Sequence, residues 1–115
     1  MSGWLPVCRR EQLPVDRGVA ALLHGRQVAL FRFANGDLHA VDNQDPVSKA
    51  MVLSRGIVGS RGDAATVASP MYKQAFDLRT GRCLDEPELA ISTYPVRVHE
   101  GIVEVAVAHA QRQPA

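Results

Sequence analysis

Cysteine is scarce in this chain: two among 115 residues, Cys8 and Cys83, far apart in sequence. With no export signal beside them, they read as two reduced thiols on two strands rather than as a disulfide. An excess of charge of one sign is also missing. Lys and Arg number 13 and Asp and Glu 12, for a formal net charge of +1, and the basic residues are scattered. Nothing in that balance announces a nucleic-acid or membrane surface. No apolar run approaches the length of a membrane span. Met1-Ser2-Gly3-Trp4-Leu5-Pro6-Val7 lacks the basic-then-apolar plan of a signal peptide, so the expected location is the cytoplasm.

Local catalytic and metal signatures are absent as well. His24, His39, His99 and His109 stand singly, and no pair has the close spacing of a zinc or iron motif. His39 and Asp42 could share a metal only if the backbone turned sharply between them. Gly56, Gly59 and Gly62 lack the Lys-Ser/Thr and following helix of a phosphate cradle, so they are turn glycines. Ser69 has no elbow glycines around it, and reads as a loop hydroxyl bonding nearby backbone. No internal repeat, low-complexity block or linker divides the chain.

What is present is a series of short strand-like runs. They fall at residues 4–8, 19–23, 28–33, 38–41, 57–58, 64–68, 74–78, 93–99 and 102–108, and 82–84 is a further candidate. Trp4 is a packing anchor at the start of the first. His24-Gly25-Arg26, Gly59-Ser60-Arg61-Gly62-Asp63 and Arg79-Thr80-Gly81 punctuate the runs as turns. Residues 49–53 are a brief helical turn or a loop. Asn35-Gly36 matches the type I′ hairpin turn, which needs positive φ at both central residues. A two-residue loop there sets Phe33 opposite Leu38 and Phe31 opposite Ala40, making a three-strand meander. Glu100-Gly101 closes a second hairpin, with Arg97 opposite Glu104, Val98 opposite Val103 and Val96 opposite Val105. By the period of two, Val96, Val98, Val103, Val105 and Val107 share its inner face.

Two stretches carry most of the functional signal. Ala68-Ser69-Pro70-Met71-Tyr72-Lys73 leads into Gln74-Ala75-Phe76-Asp77-Leu78-Arg79-Thr80-Gly81, and Val41-Asp42-Asn43-Gln44-Asp45-Pro46-Val47 has a similar layout. Together they resemble the paired cluster-binding loops of Rieske iron–sulfur domains, written Cys-Pro-His and Cys-Pro-x-His. Both prolines and the Phe-Asp-Leu-Arg-Thr-Gly continuation match. The four ligand positions do not, being occupied by Asp45, Val47, Ser69 and Tyr72. A Rieske centre needs two thiolates and two imidazoles. The hard oxygens of Asp45 and Ser69, a phenol and an alkyl group do not hold soft cluster iron.

The resemblance implies an all-β, Rieske-like antiparallel sandwich or barrel over residues 1–109. A small inserted subdomain carries the two loops, and 110–115 forms a polar, frayed tail. It implies no catalytic centre, cofactor or metal in this chain. Within that superfamily the sequence resembles the small subunit of the cytoplasmic, assimilatory NAD(P)H-dependent nitrite reductase. The matching features are Trp4, Phe31-Arg32-Phe33 before Asn35-Gly36-Asp37, Leu38-His39-Ala40-Val41-Asp42-Asn43, Gly56-Ile57-Val58-Gly59 and Tyr94-Pro95-Val96-Arg97-Val98. That family implies an accessory subunit docking on or regulating a large partner. The partner carries FAD, sirohaem and an iron–sulfur cluster and reduces nitrite to ammonium. A stand-alone Rieske-type ferredoxin, or an accessory module of another redox system, is the alternative.

Without a cluster or loop cysteines, something else must hold the two loops together. An apolar contact among Val47, Met51, Met71 and Tyr72 is expected, with Asp45 and Lys73 paired at its edge. Left partly exposed, Pro46, Val47, Pro70, Met71, Tyr72 and Lys73 make a candidate partner interface. Lys49, Arg55, Arg61 and Lys73 read as scattered solvated charges rather than a basic rim.

Overall fold

Short apolar runs separated by glycine-bearing turns fold as ten strands in the computed structural model, which describes residues 3–109. In chain order they are β1 (Leu5–Arg9), β2 (Gly18–Leu23), β3 (Arg26–Arg32), β4 (Leu38–Asp42), β5 (Ile57–Arg61), β6 (Ala64–Ala68), β7 (Ala75–Asp77), β8 (Thr93–Tyr94), β9 (Val96–His99) and β10 (Ile102–Val105). They form three antiparallel sheets in the orders β1-β10-β9, β2-β3-β4-β8 and β5-β6-β7. The tail expected at 110–115 and the His109 side chain lie outside the described residues. Among those residues no helix is long and apolar enough to cross a membrane.

The β2-β3-β4-β8 sheet is the middle layer, and the burial of β3 shows why. Val28, Ala29, Leu30 and Phe31 are all 0% exposed. Successive side chains of a strand point to opposite faces. Val28 and Leu30 therefore join Leu13, Tyr94, Val103 and Val105 in one core, against the β1-β10-β9 sheet. Ala29 and Phe31 join Val41, Leu53, Val67, Phe76, Leu78 and Ile91 in a second core, against the β5-β6-β7 sheet. The continuous apolar run of β3 is what a strand covered on both faces requires. The loop-bearing sheet is thereby fixed to the body by its own core.

The meander β2-β3-β4 forms as expected, but its second turn does not. Phe31 faces His39 and Arg32 faces Leu38, one residue out of the expected register. The cause is Asn35, which does not take positive φ; of the pair, Gly36 alone does, at 97°. The Asn35 amide instead accepts from the Asp37 N–H (2.9 Å) and donates to the Asp37 carboxylate (3.1 Å). The Gly36 N–H donates to the Phe33 carbonyl, and the Phe33 N–H to that of Asp37. The result is a three-residue loop with a glycine bulge. Paired positive φ occurs instead at His24-Gly25 (49° and 80°) and at Glu100-Gly101 (52° and 80°). The closing hairpin has the expected register, with Arg97 opposite Glu104, Val98 opposite Val103 and Val96 opposite Val105. Val103 and Val105 are buried, whereas Val98, on the same face opposite Val103, is 41% exposed.

Pro95 corrects a second expectation. Residues 93–99 form two strands, because proline has no N–H to continue a ladder. β8 pairs with β4 in the middle sheet, while β9 pairs with β10 in the outer one. Strand 102–108 likewise stops at Val105 and passes into a 3₁₀ turn. The candidate at 82–84 contributes isolated bridges, Phe76 to Cys83 and Arg82 to Ala90. Residues 49–52 are loop, followed by a 3₁₀ turn at Leu53–Arg55. The hairpin β5–β6 turns on two residues, Gly62-Asp63, so its strands are longer than expected at the β5 end. Arg97 lies over the Trp4 ring, 4.3 Å from its centroid, consistent with Trp4 as a packing anchor. Cys8 and Cys83 are both free thiols.

Candidate functional site

A single six-residue turn occurs at 45–50, at 69–74 and at 77–82. In each copy the first N–H donates to the sixth carbonyl: Asp45 to Ala50 (2.8 Å), Ser69 to Gln74 (3.0 Å) and Asp77 to Arg82 (2.8 Å). The fifth N–H returns to the first carbonyl: Lys49 to Asp45 (2.9 Å), Lys73 to Ser69 (2.9 Å) and Gly81 to Asp77 (2.7 Å). The first side chain accepts from the third N–H, from Val47 (2.8 Å), Met71 (3.2 Å) and Arg79 (2.8 Å). Asp and Ser suit that first position because a short oxygen side chain can satisfy a turn's own backbone. The fifth residue has positive φ in every copy: Lys49 at 67°, Lys73 at 62° and Gly81 at 82°.

The first two copies are the Pro-containing loops, and they meet through a polar bond. Asp45 is 0% exposed and Ser69 1%. The Ser69 hydroxyl donates to Asp45 Oδ2 in a short hydrogen bond. Asp45 Oδ1 accepts from the N–H groups of Val47 (2.8 Å) and Ser48 (3.2 Å), and more distantly from Gln74 Nε2 (3.5 Å). Gln74 is itself buried, and its Oε1 has no hydrogen-bond partner. Two expectations are overturned here. Asp45 does not pair with Lys73, because it is sealed inside while Lys73 is exposed. The loops are not joined by a buried apolar contact either. Val47, Met51, Met71 and Tyr72 are 46%, 44%, 49% and 61% exposed.

Of the six candidate interface residues, Val47, Pro70, Met71, Tyr72 and Lys73 are exposed and Pro46 is half-buried. They sit on the two loops that the Asp45–Ser69 bond brings together. Lys49 and Gln74, which sequence reasoning did not select, belong to the same constellation. Lys49 was findable, since it stands fifth in the turn 45–50 as Lys73 does in the turn 69–74. Gln74 was not, since its partner is 29 residues away.

The residues at the tip do not fit a [2Fe-2S] cluster. The two positions that need thiolates are a carboxylate and a hydroxyl bonded to each other. The two that need imidazoles are Val47 and Tyr72, and neither Cys8 nor Cys83 lies in either of these two loops. Among the described residues no group of three or more His, Cys, Asp or Glu is arranged to hold a metal ion. His39 and Asp42 do not converge, because three residues apart on β4 they point to opposite faces. His39 packs edge-on against Phe33 at 5.6 Å, and burial lowers its pKa. Asp42 accepts from the Tyr94 hydroxyl and the Ser92 N–H. Burial and that bond to Asp42 raise the Tyr94 pKa, while a bond from Arg26 (3.3 Å) opposes them.

Comparison with known proteins accords with this geometry. Residues 3–106 match the family described as Rieske-like [2Fe-2S] domain. The chain is 38% identical over 106 residues to the nitrite reductase (NADH) small subunit of Salmonella typhimurium, covering 91% of this chain and 98% of that one. It is 44% identical over 102 residues to a nitrite reductase [NAD(P)H] large subunit of Klebsiella oxytoca, covering 89% of this chain but 11% of that protein. A crystal structure assigned as the NADH-dependent nitrite reductase small subunit of Mycobacterium tuberculosis superposes with a TM-score of 0.87 at 49% identity, covering 96% of each chain. A Rieske-like fold with an Asp–Ser bond where the cluster would be held, and near-complete likeness to these subunits, leads to one conclusion: the chain belongs to the nitrite reductase small-subunit family of Rieske-like domains.

Proposed function

We propose that this chain is the non-catalytic small subunit of a cytoplasmic NAD(P)H-dependent nitrite reductase, docking by its loop tip on the large subunit. As part of that complex it belongs to an oxidoreductase, while FAD, sirohaem and the iron–sulfur cluster reside on the partner, which reduces nitrite to ammonium. The observation that carries the proposal is the Asp45–Ser69 bond. It joins the two loops through side chains that do not fit a [2Fe-2S] cluster. What remains is a shaped surface. Val47, Met71 and Tyr72 stand exposed on it, and Tyr and Met are enriched at interface cores. The Klebsiella protein supports the choice of partner, since a large subunit there contains a stretch similar to most of this chain.

Binding of the purified chain to its large subunit tests the proposal. Tyr72 is 61% exposed, so Tyr72→Ala should leave the melting temperature within a few degrees of wild type. Its affinity should fall by about tenfold or more, as for an interface anchor. Unchanged affinity in both Tyr72→Ala and Met71→Ala would remove the loops from the interface. Stoichiometric iron with a sulfide-to-iron charge-transfer band, after anaerobic reconstitution, would restore the ferredoxin alternative.

A further inference from the structure

The fifth position of the six-residue turn must take positive φ, a conformation that glycine adopts freely and a side chain resists. The copy inside the body obeys that preference with Gly81. Both copies at the loop tip place lysine there instead, Lys49 and Lys73. Neither lysine contributes to the fold beyond its backbone. Both are exposed, and among the described residues neither ammonium has a hydrogen bond or ion pair. No neighbouring acid in either loop neutralises them, because Asp45 is the one acidic residue there and is fully buried. Backbone strain kept at two equivalent exposed positions, both times with the same charge, points to a use outside the chain.

The surroundings indicate what that use is. The N–H of each lysine is held by the carbonyl of Asp45 or Ser69, the two residues whose side chains join the loops. Lys49 thus shares its turn with the exposed Val47, and Lys73 its turn with the exposed Met71 and Tyr72. An apolar centre with a charged, solvated rim is the anatomy of a protein–protein interface. Resting on the docking proposed above, we infer that Lys49 and Lys73 are specificity-determining charges of this interface and meet acidic side chains on the large subunit. Rim charges of this kind act on the rate of encounter and are screened by salt.

Binding kinetics of the full chain with its large subunit, at low and high salt, test the inference. The double variant Lys49→Gly, Lys73→Gly should fold at least as stably as wild type, since glycine suits both backbones. Its association rate at low salt should fall by about tenfold, and its salt dependence should flatten. Wild type and variant should converge at high salt. Lys49→Arg with Lys73→Arg should retain the salt dependence. A double glycine variant with the wild-type rate and salt slope, in a system where Tyr72→Ala still weakens binding, overturns the role of the lysines and leaves the docking face standing. Loss of effect in Tyr72→Ala and Met71→Ala as well overturns both.

Discussion

Ser69→Ala removes one hydroxyl from the bond that joins the two loops, and its cost follows from burial. Asp45 is 0% exposed and Ser69 1%, so water has no direct route to the vacated site. Asp45 Oδ1 keeps its bonds from the Val47 and Ser48 N–H groups. Oδ2 loses the Ser69 donor and is left buried without one. The Met71 N–H loses its acceptor, Ser69 Oγ, at the same time. A hydrogen bond contributes about 0.5–1.5 kcal/mol net, and a buried group left unsatisfied costs about 1–3 kcal/mol. Ser69→Ala should therefore destabilise by roughly 2–3 kcal/mol, which lowers the melting temperature of a domain this size by roughly 8–12 °C. Urea unfolding and calorimetry on the isolated chain measure both quantities. Asp45→Asn, combined with Ser69→Ala in a double-mutant cycle, should show a coupling energy above about 0.5 kcal/mol. A Ser69→Ala variant within about 0.5 kcal/mol of wild type would mean that the loops are held by something other than this bond.

Three further comparisons, made with five substitutions, test other parts of the fold. Val103 is fully buried, so Val103→Ala should cost roughly 2 kcal/mol or more. The Arg97–Glu104 pair, at 2.7 Å with Arg97 exposed and Glu104 half-buried, should lose only ~0.2–1 kcal/mol in Glu104→Ala; equal losses at the two sites would refute the assigned inner face. Gly81 has φ of 82°, and an added Cβ would lie 2.1 Å from the Ile91 carbonyl oxygen, whereas Gly101, at 80°, has open space. Gly101→Ala should cost the left-handed penalty of about 1–2 kcal/mol, and Gly81→Ala clearly more, with chemical denaturation of the pair deciding the order. Burial lowers the His39 pKa below its usual 6.5. The unfolded chain then takes up a proton at pH values where the native one does not. Stability from this group is full above about pH 6.5 and is lost as pH falls toward the folded value. The urea midpoint of His39→Leu should fall less across that window than that of wild type; parallel falls would show that another group is responsible.

Local signals were legible where local forces decide. Glu100-Gly101 gave the register of the closing hairpin because both residues take the positive φ that the dipeptide suggests. Asn35-Gly36 looks better on paper, yet Asp37 beside it offers the Asn35 amide a competing partner, and the loop lengthens by one residue. Pro95 carried a readable warning inside the run 93–99, since proline marks a strand edge or break. The loop tip was legible in position and not in mechanism. Charge rules pair Asp45 with a lysine. The fold buries Asp45 instead and gives it Ser69, 24 residues away, a pairing that no local pattern encodes. The apolar residues at the tip suggest a contact between loops for the same reason. Hydrophobicity identifies what seeks cover without saying whether the cover lies within the chain.

The pairing of β1 with β10 bears on how such a domain is attached to anything else. Leu5 lies opposite Val105, so the first strand and the last run side by side in one sheet, with the start of β1 beside the end of β10. Domains with neighbouring ends can be hung from another polypeptide by a single tether, or set into one of its loops, with their strand pairing intact. The Klebsiella large subunit carries a stretch similar to this chain within a much longer polypeptide. A tether holds its cargo at an effective concentration near millimolar for short flexible linkers, whatever the contact surface contributes. A separate chain has no such help in a dilute cell. A copy of such a domain that is not grafted has to reach through affinity what a grafted one reaches through proximity.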